Sequence, residues 1–468
     1  MLVFSLASQG SPWFNYGDYK IEYLFSGLQK HCEISDDRFS ISPNSLWVLE
    51  DIKNKIKNST LSKDCIFYLD KLEKEILDSF DKNILIGFQS KVDNLYLQEK
   101  GFRYYDKSNV YLDISNTKNN FSYKLKLIKS SEELFFDESY ISYKNKNTIY
   151  KAGRVKRWWS PSEYTSLIYS NSIRPIPTIS ISNYQPINPN HNFFSFFNDF
   201  NYEIFIGKLE RDREIPNTLL FGNRIGFSPH PNLKLSLLRV AQYGGKGRVN
   251  NSKTLRHMLT GKDTLNRSLE FDEQSGNQIA GIDFIYKLNN KNNIYLYGQY
   301  LGEDGLDPII DDRWIGAIFP SKRFGMAGIS INSKNPENLW KITLEHTNTD
   351  TGFKNVTYNH SLYKSGYRYH NFPIGAAIDG DSHNSILNFD KFYLNGSFQI
   401  KYQKMSINQN NSIYHSLSSK AFKNKEVLFK ISKYYENNFS ISLNFIIRNS
   451  TNDIYRNNYF FVRFEKAT

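Results

Sequence analysis

Two hydrophobic periods divide the chain. Up to Asp81 the apolar positions return with a helical period. Ile21, Leu24, Phe25 and Leu28 share one face behind Asp18, a side chain able to cap a helix. Pro43 and Asn44 open a second pattern with Leu46, Leu49 and Ile56, and Ser62 opens a third with Ile66, Leu69, Leu72 and Ile76. Three short amphipathic helices in succession predict a small bundle.

After Asp81 the period becomes two. Phe121, Tyr123, Leu125 and Leu127 alternate with Ser122, Lys124 and Lys126. The same alternation runs through Tyr202–Ile206, Phe398–Tyr402, Val427–Ile431 and Phe439–Ile447, with a turn signal at Glu436-Asn437-Asn438. These are strands with two unlike faces. The polar face carries Lys, Arg and Gln, which a dry sandwich core would reject. The apolar face often begins or ends in Tyr or Phe, as the girdles of a barrel in lipid do; a soluble sheet half covered by another element is the alternative. Phe460, Val462 and Phe464 share a face in the last strand, like the C-terminal aromatic strand of outer-membrane barrels, with Glu465–Thr468 expected as a tail beyond it. Four long segments interrupt the strands: Arg154–Gln185, Gly244–Gln274, Gly302–Arg313 and Asn355–Asn384. Their Trp, Tyr, His, Arg, Asp and Gly are not a disorder composition, so they read as folded loops.

Charge narrows the partners. Among 468 residues, 59 Lys and Arg stand against 47 Asp and Glu, a net charge of +12. That favours an anionic partner, whether nucleic acid, lipid headgroup or acidic polysaccharide, or it reflects a Lys- and Asn-rich proteome. Mean hydropathy is −0.55, and no apolar run approaches the roughly 20 residues of a spanning helix. Leu2–Ala7 resembles the end of a signal-peptide apolar core without its basic flank, so residues 1–10 read as a signal-peptide remnant, with an ordinary apolar N-terminus as the alternative. Cys32 and Cys65 can pair in an exported protein or stand as two buried thiols.

A family resemblance lies in the loops. Ser11-Pro12-Trp13 with Gly17-Asp18 resembles a mature start. Arg157-Trp158-Trp159-Ser160-Pro161, Ser166-Leu167-Ile168-Tyr169-Ser170-Asn171 and Arg174-Pro175-Ile176-Pro177 follow in the order of a central motif, with Ser160 where the family usually has Gly. Leu220-Phe221-Gly222 with Arg224, Arg239 with Gln242, and Asn277-Gln278 before Ala280-Gly281 and Asp283 continue it. So do Tyr297-Gly298-Gln299 with Glu303-Asp304, Tyr358-Asn359-His360 with Tyr363, and Gly366-Tyr367-Arg368-Tyr369. In this order the chain resembles the Wzi family of capsule assembly proteins over nearly its whole length. The resemblance implies an outer-membrane antiparallel β-barrel of about eighteen strands, occluded by folded loops, behind a periplasmic helical bundle. The organisation expected is therefore a bundle over 11–80 and a barrel over 81–468. It further implies a non-catalytic, lectin-like role, without cofactor, that attaches capsular polysaccharide to the surface of a Gram-negative cell. Outer-membrane lipid and the capsule export machinery would be further partners, and nucleic acid would not.

Candidate chemistry follows from side-chain type. Trp158 and Trp159 can stack on sugar faces, and Arg154, Arg157 and Arg174 can fork onto uronate carboxylates. Alternatively, these tryptophans pack a plug against the wall and the arginines pair with Glu163, Glu203 or Glu210. Arg224, Arg239, Gln299 and Arg368 join the polysaccharide candidates through the motifs. Glu303 and Asp304, with Asp307, Asp311 and Asp312, offer oxygens to Ca²⁺ at no EF-hand spacing; a solvated acidic loop or partners for luminal arginines fit better. No HExxH or Gly-x-Ser-x-Gly occurs, and Gly244-Gly245-Lys246-Gly247-Arg248 lacks P-loop spacing. Glu303 and Glu345 are candidates for a glycoside-cleaving pair only in the loosest sense. An outer-membrane porin, a barrel enzyme on glycan or lipid, and a soluble β-rich binding protein stay open as alternatives.

Overall fold

Alternating side chains make a wall with two faces, and the question is which face is buried. The computed structural model describes residues 24, 28, 62–81, 84–91, 107–118, 120–188, 196–260, 276–289, 293–303, 322–333, 335, 338–353, 356–435 and 439–467. Helix α1 is Lys63–Asp81 and α2 is Ser252–Thr260. The strands are β1 (Ile84–Gln89), β2 (Asn109–Lys118), β3 (Phe121–Ser130), β4 (Leu134–Phe135), β5 (Tyr140–Asn145), β6 (Thr148–Arg154) and β7 (Pro177–Asn183). They continue with β8 (Asn198–Lys208), β9 (Leu219–His230), β10 (Leu233–Tyr243), β11 (Gln278–Asn289), β12 (Ile294–Glu303), β13 (Lys322–Asn332) and β14 (Trp340–Asn348). The last are β15 (Arg368–Tyr369), β16 (Phe372–Pro373), β17 (His383–Tyr393), β18 (Gly396–Ile407), β19 (Phe422–Tyr435), β20 (Phe439–Ser450) and β21 (Tyr459–Ala467).

Successive strands pair antiparallel. β3 passes to β5, with β4 against its end, and β14 passes to β17 across the separate hairpin β15–β16. β21 then pairs with β1, Phe464 opposite Phe88, and 18 strands close into a barrel without an edge. The connections β2–β3, β5–β6, β9–β10, β11–β12, β17–β18 and β19–β20 are short and share one end with the N-terminus of β1 and the C-terminus of β21. Residues 155–176, 349–382 and 408–421, with the described ends of 244–277, join strands at the opposite, long-loop end.

The apolar face points outward. Ile179 is 72% exposed, Phe121 64% and Phe460 61%, and exposed Leu344, Leu387 and Ile431 continue the band around the wall. A soluble protein does not leave so large a patch uncovered; it is the lipid-facing band of a membrane barrel. The polar face points inward. Asp113, Glu203, Asp283, Glu303, Glu345, Asp390, Glu426 and Glu465 all face the lumen, as burial along their strands shows. The apolar core sits inside the barrel as well. Trp159, Leu167, Tyr169, Tyr358, Tyr367 and Ile374 from two long loops pack against Phe205, Leu238, Tyr297, Leu301, Phe324 and Met405 of the wall.

Five expectations need correction. Arg154–Gln185 is not all loop, because Thr178-Ile179-Ser180-Ile181-Ser182 alternates and forms β7, with the isoleucines outward. Asn355–Asn384 contains the β15–β16 hairpin and the start of β17, and Gly244–Gln274 contains α2. Glu465 and Lys466 are no tail: β21 runs to Ala467 and closes the barrel. On α1 the buried stripe is Cys65, Tyr68 and Leu72, while Ile66 is 43% exposed. Positions 66 and 72 are six apart, which at 3.6 residues per turn places them on different faces. Leu24 and Leu28 are helical and buried as expected. Ile21, Phe25, the second expected helix, the Ile76 side chain and residues 1–10 lie outside the described residues. No described helix is long and apolar enough to cross a membrane.

The luminal pair Arg448–Glu426 is fully buried, with Nε 3.1 Å from the carboxylate. Glu426→Ala removes that carboxylate from a buried cation and is expected to destabilise the barrel by about 3–5 kcal/mol. The check is the temperature at which the fast-migrating folded band is lost on gels. Lys433→Ala on the outer face should move it little.

Candidate functional site: the luminal plug and the long-loop face

An irregular backbone inside a barrel must find partners for its N–H and C=O groups, since water is scarce there. The loop 155–176 solves this with serines. Ser160 Oγ donates to the Thr165 carbonyl (2.6 Å) and accepts from Ser162 N (3.1 Å). Ser162 Oγ accepts from Tyr164 N (2.9 Å) and Thr165 N (3.0 Å). Ser166 Oγ lies 2.8 Å from the Tyr169 carbonyl. Ser160 thus does more than stand where glycine is usual: its hydroxyl closes the turn.

The wall then holds the loop. Gln299 of β12 donates from Nε2 to the Trp159 carbonyl (2.7 Å) and accepts at Oε1 from Leu167 N (2.8 Å). Glu203 of β8 accepts from Arg157 Nε (2.9 Å) and Trp159 Nε1 (3.1 Å). Glu345 of β14 accepts from the Ser162 hydroxyl and from Tyr297 OH. Asp390 of β17 accepts from Tyr164 OH (3.1 Å).

The loop 349–382 locks onto the first from the other side. Ser170 N donates to the Ile374 carbonyl (2.8 Å), Tyr358 OH to the Leu167 carbonyl (2.6 Å) and Tyr367 OH to the Ile168 carbonyl (2.7 Å). Gly375 sits where a Cβ would collide with the Leu167 carbonyl and the Tyr358 hydroxyl, so only glycine lets the loops approach. Glu303 of β12 accepts from Tyr358 N (2.5 Å). Arg368 forks onto Asp379 (2.9–3.0 Å), which also accepts from Ser416 N (2.8 Å) of a third loop. At this level the two loops and the wall pack into one apolar core across the lumen.

This architecture is matched by known proteins. The family model of the capsule assembly protein Wzi matches residues 89–460, most of the chain. The chain belongs to the Wzi family. Among solved structures it is similar to Wzi of Escherichia coli, an outer-membrane protein involved in group 1 capsule assembly and a carbohydrate-binding β-barrel. That similarity has a TM-score of 0.80 at 19% identity and covers 97% of this chain and 99% of that one, so it shows the fold. A Klebsiella pneumoniae relative, an uncharacterised 55.8 kDa protein in the cps region, is 28% identical over 234 residues. That match spans 49% of this chain and 44% of the relative's length.

The stretch from Arg157 to Ile176 is therefore part of the plug in this chain, and most candidate site residues lie in it or beneath it. Arg157 and Trp159 are buried at 4% and 2% exposure, bound to Glu203, with the guanidinium 4.5 Å from the centre of the Phe205 ring. Arg224 is buried against Asp283 (2.8 Å). Gln299 and Arg368 are buried in the plug contacts just described. Arg154 is half-buried and donates to the Pro175 carbonyl (3.0 Å) and Tyr369 OH (3.3 Å). Trp158 is half-buried, its Nε1 donating to the Ser162 carbonyl (2.7 Å). Arg174 keeps its side chain 25% exposed while forking onto Asp137 (3.0 Å) and lying 3.9 Å from the centre of the Phe135 ring. Arg239 is elsewhere: on the outer face of β10, its Nε donating to Gln278 (2.9 Å).

Of the three carboxylates considered for the arginines, Glu203 takes Arg157, Glu210 pairs with Arg213 and Glu163 with Lys341. Glu303 serves the Tyr358 amide, and Asp304 lies outside the described residues. Among the described residues no three His, Cys, Asp or Glu gather as a metal site. Cys65 is buried and disulfide-bonded, and Cys32 lies outside the described residues. The reading of the chain missed Asp379, Asp390 and Ser162 as plug anchors; only Asp390 carried a signal, a carboxylate on the polar face of a strand, whereas Asp379 and Ser162 lie in loops.

What remains exposed is the long-loop face. From Gly244 to Thr260 the chain has Lys246, Arg248, Lys253 and Arg256 and no Asp or Glu. Lys246, Lys253 and Arg256 are exposed.

Electrostatics ties the plug to pH. Burial alone would push the Asp379 carboxyl up, but the Arg368 guanidinium outweighs it and holds the carboxyl below its ordinary 3.8. A lowered carboxyl adds stability above the ordinary value and loses it as pH falls through the lowered one. Burial pushes the Tyr358 hydroxyl up, so it stays a donor. Plug protection in hydrogen exchange should therefore persist at neutral pH and fall below the ordinary aspartate range. Arg368→Ala should destabilise plug docking by about 3–5 kcal/mol and flatten this acid dependence. Gly375→Ala should loosen the same loops by about 1–3 kcal/mol and leave the acid dependence in place.

Proposed function

We propose that the chain is a non-catalytic outer-membrane barrel that holds acidic capsular polysaccharide at the cell surface. The observation that carries this reading is the carboxylate-free cationic segment Gly244–Thr260, displayed at the long-loop end of an occluded barrel. Membrane barrels place short turns in the periplasm and long loops outside. The cationic segment then faces the capsule, and α1, which leads into β1 at the short-turn end, lies on the periplasmic side with the helical segment before it. Arg174, the most solvent-reached of the motif arginines of the plug, joins the contact surface; the buried members shape the platform. Each cation meets one carboxylate of a repeating polymer weakly, and repeats add through avidity. Outer-membrane lipid surrounds the wall, and the export machinery delivers the polymer to the platform. Pairing of Cys32 with Cys65 fits an oxidising compartment.

Two alternatives fit less well. A diffusion porin needs an open lumen, and here two interlocked loops fill it. A glycosidase needs two poised carboxylates, and Glu303 and Glu345 are already engaged in holding the plug.

The test is the ratio of cell-bound to released capsule. A deletion strain is expected to shed intact polymer into the medium. Lys246→Gln/Lys253→Gln/Arg256→Gln should shed it too while keeping a folded barrel, and purified protein should lose polymer binding as salt rises past the ~0.15 M range where screening is strong. A deletion strain that retains all its capsule would sink the attachment reading.

A further inference from the structure

The outer wall sorts its charge in a way the glycan reading does not use. Eight strand carboxylates face the lumen, whereas several outward positions near the long loops carry cations. Lys129, Lys208 and Arg323 are exposed there on β3, β8 and β13. The densest part lies across β14, β17, β18, β19 and β20, where register fixes which residues share a row.

One row is apolar: Leu344, Leu387, Tyr402, Val427 and Ile447 are successive cross-strand partners. The next row toward the long loops is His346, Ser385, Lys404, Lys425 and Asn449. The row beyond is Asn348, His383, Ser406 and Lys423. Polarity therefore changes within one side-chain step, and neither polar row contains a carboxylate. Lys404 and Lys425 stand directly opposite each other, both exposed. Like charges so placed repel and weaken the ladder. Among the described residues no salt bridge engages Lys404, Lys423 or Lys425, so no described carboxylate answers the repulsion.

We infer that this row is a binding site for the phosphate groups of a phosphorylated lipid in the outer leaflet, seated between Lys404 and Lys425 with Lys423 above. Three features select that occupant. The site begins where the lipid-facing band ends, which is headgroup level. It is cationic without carboxylates, which suits a phosphate monoester. Its lysines project from rigid, centrally paired strands, so acyl chains of the same lipid lie along Leu387, Tyr402 and Val427. The inference rests on the outer-membrane placement proposed above and is independent of polysaccharide binding. Its consequence is that the barrel is fixed in height and rotation beside its own leaflet.

The experiment uses the full chain purified in dodecyl maltoside, with bisphosphoryl lipid A as the probe and native mass spectrometry as the readout. Wild type is expected to carry lipid A and to bind its dephosphorylated form far less. Lys404→Gln/Lys425→Gln should weaken lipid A binding by roughly tenfold or more. Lys433→Gln, outward on β19 at the short-turn end, should leave it unchanged. Heat-modifiable migration on gels shows that each variant is folded. Equal binding by the folded double variant, or equal loss in Lys433→Gln, overturns the site while leaving the membrane placement intact. A chain that stays monodisperse without detergent overturns the placement and the site together.

Discussion

Everything in this barrel depends on satisfying polar groups that have been taken out of water. The wall turns amides and carboxylates inward, and the plug brings an irregular backbone to them. Neither is tolerable alone: unpaired buried N–H groups and carboxylates each cost on the order of 1–3 kcal/mol or more. Together they answer each other. Gln299 supplies one donor and one acceptor to two turns of the same loop, and Glu203 receives both Arg157 and Trp159. The aromatic and aliphatic core then closes around those bonds, placing the hydrophobic centre of a membrane protein inside its lumen.

The same requirement explains the fate of the conspicuous arginines. In isolation, the tryptophans of Arg157-Trp158-Trp159 read somewhat better as packing than as a sugar platform, and the arginine reads equally as either. A guanidinium carried into a lumen has to meet a carboxylate, because an unpaired buried charge is prohibitive. Arg157, Arg224 and Arg368 each do so. Arg174, at the margin, pairs and still reaches solvent. The proposed recognition of an outside polymer therefore draws on residues without motif character, the plain lysines and arginines of 244–260. The outer wall follows a complementary rule. Lipid rejects carboxylates and charge alike at mid-height, yet cations are tolerated at the rim, where Lys404 and Lys425 emerge just past Tyr402 and Val427.

The sequence by itself determined the wall. Period two with Tyr and Phe at strand ends reports local geometry, and Phe121-Tyr123-Leu125 and Phe460-Val462-Phe464 face outward as their alternation requires. It located the plug loops through their composition and the order of the family motifs. It failed at β7, where a short Thr-Ile-Ser alternation was hidden inside a longer irregular stretch, and on α1, where the apolar residues chosen were not on one face. Tertiary structure alone decided which side chains are sites. The bonds that matter join Gln299 to Leu167, Glu345 to Ser162 and Asp390 to Tyr164, positions 132, 183 and 226 residues apart. No period or spacing carries such a pairing, because it is fixed only when the ladder closes and sets opposite strands around one lumen.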